Sequence, residues 1–415
     1  MGRRPRAKLF FTAASRAKFA AALALVRRPA TFPPVNSIEI LVVLLLLFMA
    51  VPDVCRWLRR PALIYPLFVT FGLALRPLAT LDVNTMIREA GQIGFLLLLF
   101  EVGLEIDLPR PRELVRPGTW VVKWVLIQYP LVLACATLAG LNWSEAFVAA
   151  AAITGCSVGM AHSAWKQHPG LAGEERAFAL RVMVLLEMLA IVLLSVETAA
   201  LAHAPTWLIA LKLVGIAIAV FLVSRTAVRV TRLFQTVLAK ATHWRLHFLV
   251  LLVLAICAVG ERLGLAGAKT AFFLGLFMSR VEHDGKALED FLAPLSRRFL
   301  IPLFFVALGM QVPMGLLVSR TALFAAITAA LLIAVREALH RRWLNLGGGR
   351  DSYLLLCPNL TMVALAATAM LAAGVAPELA GWVILTGLFL SIAAIVALPP
   401  VAAPAPPAQS PAPVS

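Results

Sequence analysis

Apolar runs recur about thirteen times along the chain, and that repetition limits what it can fold into. They cover residues 37–55, 61–77, 86–105, 118–141, 145–166, 178–201, 206–226, 246–263, 266–281, 297–317, 320–339, 351–374 and 378–399. Several approach the roughly 20 residues that an α-helix needs to cross a bilayer. Hydrophobic residues make up 61% of the chain and charged ones 14%, with a mean hydropathy of +0.91. Soluble domains carry about 25% charged residues, so a soluble fold is excluded. The pattern predicts an all-α polytopic membrane protein embedded in a lipid bilayer.

The formal net charge of +16 would point a soluble chain toward nucleic acid. Here the basic residues fall between apolar runs, where they orient spans and meet anionic headgroups, so no nucleic-acid partner is expected. Loops after the first, third, seventh, ninth and eleventh runs are rich in Arg and Lys, whereas those after the fourth, sixth and twelfth carry none. The positive-inside rule then makes the odd loops and the carboxyl terminus cytoplasmic. Residues 1–36 hold eight basic side chains and no acid, which runs against an outside amino terminus. That extension reads equally as an interfacial helix, a targeting segment or an over-long start. Residues 401–415 are Ala/Pro-rich and read as a disordered tail, with no nucleotide-binding domain expected after the membrane part. The five cysteines have no metal-ligand spacing and read mainly as small apolar residues.

Glu187 interrupts an otherwise apolar run, where a charge costs about 2.5–3.5 kcal/mol. It is read as a proton- or ion-binding group, against the alternative of a neutral packing residue. Two runs are weakened at mid-span. The first holds Gly155-Cys156-Ser157-Val158-Gly159 and the second Cys357-Pro358-Asn359-Leu360-Thr361. Unwound backbone inside a membrane survives only where protein covers it or a cavity adjoins it, so paired interruptions point to a midplane site. Ordinary small-residue packing is the alternative. Arg336 follows a long apolar stretch and either compensates charge in the core or snorkels to the interface. Glu101, Glu105 and Asp107 form an acidic group that reads as ion pairs to Arg110 and Arg112 or as a cytoplasmic ion funnel. His162 and His168 follow the first interruption, with His168 expected in a solvated loop. Arg181 and Glu197, on the span of Glu187, read as interfacial anchors.

The run Gly91-Gln92-Ile93-Gly94-Phe95-Leu96-Leu97-Leu98-Leu99-Phe100-Glu101-Val102-Gly103-Leu104-Glu105-Ile106-Asp107 resembles the GxxLLLFxxGLExD signature of the cation:proton antiporter superfamily, in its potassium-efflux and bacterial sodium/proton branch. Residues Pro61–Pro77, Gly264–Leu276 and Ile301–Met310 resemble three further motifs of that family, in the family's order. The resemblance covers roughly 37–399. It implies a thirteen-span fold of inverted repeats with two broken, crossing helices. It also implies dimerisation and panel helices at 37–105 and 246–317, core halves at 118–201 and 320–399, and a linker at 206–226.

Carried over residue by residue, the resemblance puts Cys156 and Ser157 where the family often has Thr-Ser. Leu186 and Glu187 stand where it has Asp-Asp, Asn-Asp or Gln-Asp, and Arg336 matches a core Lys or Arg. A proton and a monovalent cation would compete at Glu187, with Ser157, Cys156 and Thr361 completing the site. One carboxylate position implies one-for-one, electroneutral exchange. The resemblance thus implies a homodimeric sodium or potassium:proton antiporter of the bacterial inner membrane. It would be a transporter and not an enzyme, with no cofactor and no metal beyond its cargo. Two rivals remain open: an antiporter-fold protein with a sensory or scaffold role, which Leu186 favours, and a sodium-coupled organic-anion carrier.

Overall fold

A computed structural model of the chain describes residues 37–105, 115–201, 245–262, 267–279, 282–283, 286–288, 292 and 294–400. The expected span 206–226, the basic extension 1–36, the tail 401–415, Asp107 and the arginines Arg110 and Arg112 lie outside the described residues. Within the described residues, every other expected span contains helix. In order these are α1 (Ser37–Trp57), α2 (Ile64–Leu75, with single 3-10 turns at Pro61–Leu63 and Arg76–Leu78), α3 (Leu81–Glu105) and α4 (Val115–Leu138). Next come α5 (Trp143–Thr154), α6 (Val158–Lys166), α7 (Gly173–Leu201), α8 (Arg245–Arg262) and α9 (Gly267–Met278). A π turn (Ser296–Leu300) leads into α10 (Ile301–Gln311), followed by α11 (Arg320–Arg342). A 3-10 turn (Ser352–Leu356) precedes α12 (Leu360–Ala372), and α13 (Pro377–Ala397) ends the described chain. Among the described residues the one β feature is a two-residue ladder pairing Glu282–His283 with Lys286–Ala287.

The helices pack as two groups. In one, α3 lies against α9 and α10, α10 against α2, and α8 against α9, with α1 beside α2. In the other, α5 packs between α4 and α7, while α13 packs on α11 and α12. The second group shows the inverted repeat: a long helix, a broken helix and a long helix (α4, α5–α6, α7), then the same order again (α11, the Ser352–Leu356 turn with α12, α13).

Close crossings in the first group depend on glycine. A Cβ on Gly103 would lie 2.3 Å from the Phe272 carbonyl oxygen, and one on Gly275 would lie 2.0 Å from that of Phe100. Gly72 and Gly309 make the same mutual approach between α2 and α10. Small residues let helix backbones meet in a membrane, where apolar side chains gain little by leaving lipid.

Among the described residues, eight helical segments are long and apolar enough to cross a membrane. The two broken segments are the most sheltered: 78% of each apolar window is buried, against 33% for Val115–Leu138. Interrupted backbone therefore sits inside protein, as the missing helical hydrogen bonds require. Helix α4 turns Val122 and Leu126 outward, as a lipid-facing helix does.

Candidate functional site

Gly155 and Ser157 adopt extended backbone angles, so α5 stops at Thr154 and α6 restarts at Val158. Pro358 lacks the N–H that would continue a helix, and the backbone is likewise interrupted between Leu356 and Leu360. The two gaps meet. The Ser157 N–H donates to the Pro358 carbonyl at 2.7 Å, and the Cys156 thiol reaches the Leu355 carbonyl at 3.5 Å. Asn359 Nδ2 donates across the crossing to the Ile153 carbonyl at 2.9 Å. These contacts supply partners for groups that helix ends leave open.

Charges of both signs sit at the exposed helix ends. Arg336, fully buried, donates through Nη2 to the Ile153 carbonyl (2.9 Å) and through Nη1 to the Leu356 carbonyl (3.2 Å). Both oxygens close a helical stretch, where the helix dipole presents negative charge. Its Nε donates to Gln128 Oε1 at 2.7 Å. Arg336 therefore points into the core and does not snorkel. Glu187, also fully buried, accepts the Val158 N–H at 3.0 Å through Oε2, at the positive end of α6. Cys156 lies within electrostatic reach of both Glu187 and Arg336. Leu186 is buried and brings no oxygen to the crossing.

A cavity of about 160 Å³ adjoins the crossing, lined in part by Ser157, Thr361, His162, Glu101 and Tyr65. The hydroxyls of Ser157 and Thr361 are buried without a hydrogen-bond partner among the described residues. Neither Glu187 nor Cys156 lines this cavity; Glu187 bonds the backbone next to Ser157 and Cys156 bonds the Leu355 carbonyl. Glu101 is buried, accepts from the Ser296 hydroxyl and pairs with Arg297 Nε at 2.9 Å. The structure thus gathers Glu187, Ser157, Cys156, Thr361 and Arg336 at one crossing and puts Glu101 on its cavity. Glu105 ends α3, and its side chain lies outside the described residues.

His168 departs from its expected solvated position. It is buried in the loop between α6 and α7, accepts the Gly170 N–H through Nδ1 at 3.2 Å, and has Nε2 3.6 Å from Asp351 Oδ1. Gly170 and Gly348 bring this loop against the one before the second gap, which covers the ring. Burial holds the imidazole below its ordinary range, opposed by Asp351 and aided by Arg176. The Glu197 carboxylate accepts the Tyr129 hydroxyl. Two residues of the crossing were missed as site members, Gln128 and Asn359. Each is a lone carboxamide in an apolar setting, and that isolation was the available signal.

Residues 40–403 match the family described as sodium/hydrogen exchanger, transmembrane. Among curated proteins, the chain is 23% identical over 277 residues to the probable Na(+)/H(+) antiporter GerT of Bacillus cereus, covering 66% of this chain and 73% of that one. It is 26% identical over 288 residues to the glutathione-regulated potassium-efflux system protein KefC of Shigella flexneri, covering 64% of this chain but 45% of that protein. Among solved structures, the sodium proton antiporter MjNhaP1 from Methanocaldococcus jannaschii at pH 8 superposes with a TM-score of 0.57 at 15% identity. That match covers 92% of this chain and 96% of the other.

Proposed function

The chain belongs to the transmembrane sodium/hydrogen exchanger family, and from that premise we propose that it exchanges a monovalent cation, sodium or potassium, for protons. The observation that carries this reading is Glu187: a fully buried carboxyl group that accepts the Val158 N–H where the helix restarts after the first break, next to Ser157 on the wall of the smaller cavity. Burial favours the neutral carboxyl group, and a nearby cation favours the charged one, so proton and cation compete for the same oxygens. In this reading the buried hydroxyls of Ser157 and Thr361, without a partner among the described residues, supply further ligands for a hard cation. Cys156 holds the crossing together through Leu355, and Arg336 balances the carbonyl ends of the broken helices. In this reading Glu101, held by Arg297, is the acidic group on the cavity wall. One carboxylate cycling between proton and cation makes the exchange electroneutral.

The two curated relatives are bacterial, which supports a bacterial inner-membrane location. The basic odd-numbered loops support a cytoplasmic carboxyl terminus. A homodimer is part of the same proposal; the exposed Leu41, Val42, Leu45 and Met49 of α1 suit lipid and a second copy equally.

Proteoliposomes with an internal pH dye, pulsed with sodium, potassium or lithium, test the proposal. Wild type should move protons in response to at least one cation. Glu187→Gln should abolish that movement while remaining folded, because Gln keeps size and hydrogen bonding but has no proton to lose. A Gln variant that exchanges like wild type shows that another acid carries the proton. A wild type silent to all three cations returns the sensory or scaffold reading that Leu186 favours.

A further inference from the structure

A second cavity, of about 520 Å³, lies between the two helix groups. Its walls include Arg76 beyond the end of α2, Asn84, Arg88 and Gln92 along the first half of α3, Gln311 at the end of α10, and Thr368 on α12. The first cavity is lined by Tyr65 at the start of α2 and Glu101 near the end of α3. The two cavities therefore occupy opposite ends of the same helices.

The first cavity carries a Glu101–Arg297 ion pair on its wall, whereas the larger one carries basic side chains alone. Two guanidinium groups face the larger cavity, and none of its lining residues is Asp or Glu. Arg76 commits Nη1 to the Gln311 carbonyl at 2.8 Å, which leaves most of its donor fork available. Arg88 is exposed and has no hydrogen-bond or ion-pair partner among the described residues. The carboxamide oxygens of Asn84 and Gln311 are buried without partners among the described residues. Turning either amide over replaces that oxygen with an N–H₂ donor at no steric cost, since the two ends are nearly the same size. Two arginines and two reversible amides, with no Asp or Glu among the described lining residues, form a donor set for an oxyanion; the Thr368 hydroxyl already donates to the Ala364 carbonyl at 2.8 Å and adds no donor. A metal cation would meet repulsion there.

We infer that this cavity binds a phosphate-bearing anion, supplied either by a lipid headgroup or by free phosphate. Two positive charges facing one space match a phosphate's charge and three or four acceptor oxygens better than a single carboxylate. An occupant held by Arg76 and Arg88 lies against α12, whose Thr368, Leu371 and Ala372 line the same space. The inference does not depend on the exchange reading, because it is tested by binding alone.

The full chain is purified in a neutral detergent and its melting temperature followed as inorganic phosphate is added, against chloride at equal ionic strength. In parallel, native mass spectrometry measures retention of phosphatidylglycerol against phosphatidylcholine. Wild type should be stabilised by phosphate or retain phosphatidylglycerol selectively. Arg88→Gln should weaken that response about tenfold or more, the value of a charge-assisted hydrogen bond, and Arg88→Lys should keep part of it. Stabilisation by inorganic phosphate identifies a free-anion site, and retention of phosphatidylglycerol alone identifies a headgroup site. No selective response to either, or an undiminished response in Arg88→Gln with its melting temperature unchanged, overturns the inference.

Discussion

Arg336 shows how much a single side chain can organise here. A guanidinium taken out of water loses several kcal/mol of solvation, which its surroundings must return. The return comes from one amide oxygen and two helix-end carbonyls, reached from 208, 183 and 20 residues away in sequence. Removing the side chain leaves Ile153 and Leu356 without that donor and opens a void beside Gln128. Arg336→Ala should therefore cost about 3 kcal/mol or more, read as a lower melting temperature of the purified protein. Arg336→Lys keeps the charge without the planar fork and should recover only part of the loss. An Ala variant as stable as wild type would show that the crossing holds without this charge. The sequence made Arg336 conspicuous by its apolar neighbours, but its partners lie on three distant segments that no local pattern links. Gln128 was harder still, because a lone amide marks a polar contact without naming the other half. Glu187 stood out as a carboxylate among apolar residues. That it meets the Val158 N–H depends on how α6 and α7 pack, which its own span does not encode.

At the scale of elements, the two helix breaks were legible because their cause is local. Gly155 and Pro358 weaken a helix wherever it packs. The motif glycines on α3, α9 and α10 were legible as a pattern but not as a cause. Their role emerges only when α3 meets α9: Gly103 and Gly275 sit where each backbone presses on the other. An added methyl at Gly275 meets backbone, which cannot rotate away as a side chain would. Gly275→Ala should destabilise by about 1–3 kcal/mol, the usual cost of overpacking a tight interface. Gly315, which has nothing within 4 Å of an added Cβ, provides the contrast. Gly315→Ala should leave the melting temperature close to wild type, and equal effects at the two glycines would remove the close-crossing explanation. His168 failed in the opposite direction. Its loop is polar enough to read as solvated, yet Gly170 and Gly348 pull a second loop over the ring.

The molecule as a whole places a cavity at each end of α2, α3 and α10, with aromatic side chains between them. Phe95 and Phe304 line the larger cavity and stack at 4.6 Å, while Tyr65 lines the smaller one. Phe305 connects them, with ring centroids 5.1 Å from Phe304 and 4.7 Å from Tyr65. Four rings thus bridge the interval between two polar spaces. A transporter must keep such spaces from joining, since a continuous water column would conduct protons and dissipate the gradient that drives exchange. Phe304 is the ring that touches both its stacked partner and Phe305, so it is the place to open the barrier. Phe304→Ala removes the ring and should raise passive proton leak several-fold in proteoliposomes under an imposed pH gradient without added sodium or potassium. Because losing a buried phenyl group costs about 3–5 kcal/mol, the variant's fold is checked by its elution as a single species. Phe304→Leu keeps apolar bulk at lower cost and should leak less than Ala. If folded Ala and Leu variants both leak no faster than wild type, the stack is packing, and the seal between the cavities lies instead at the crossing of Ser157 and Pro358.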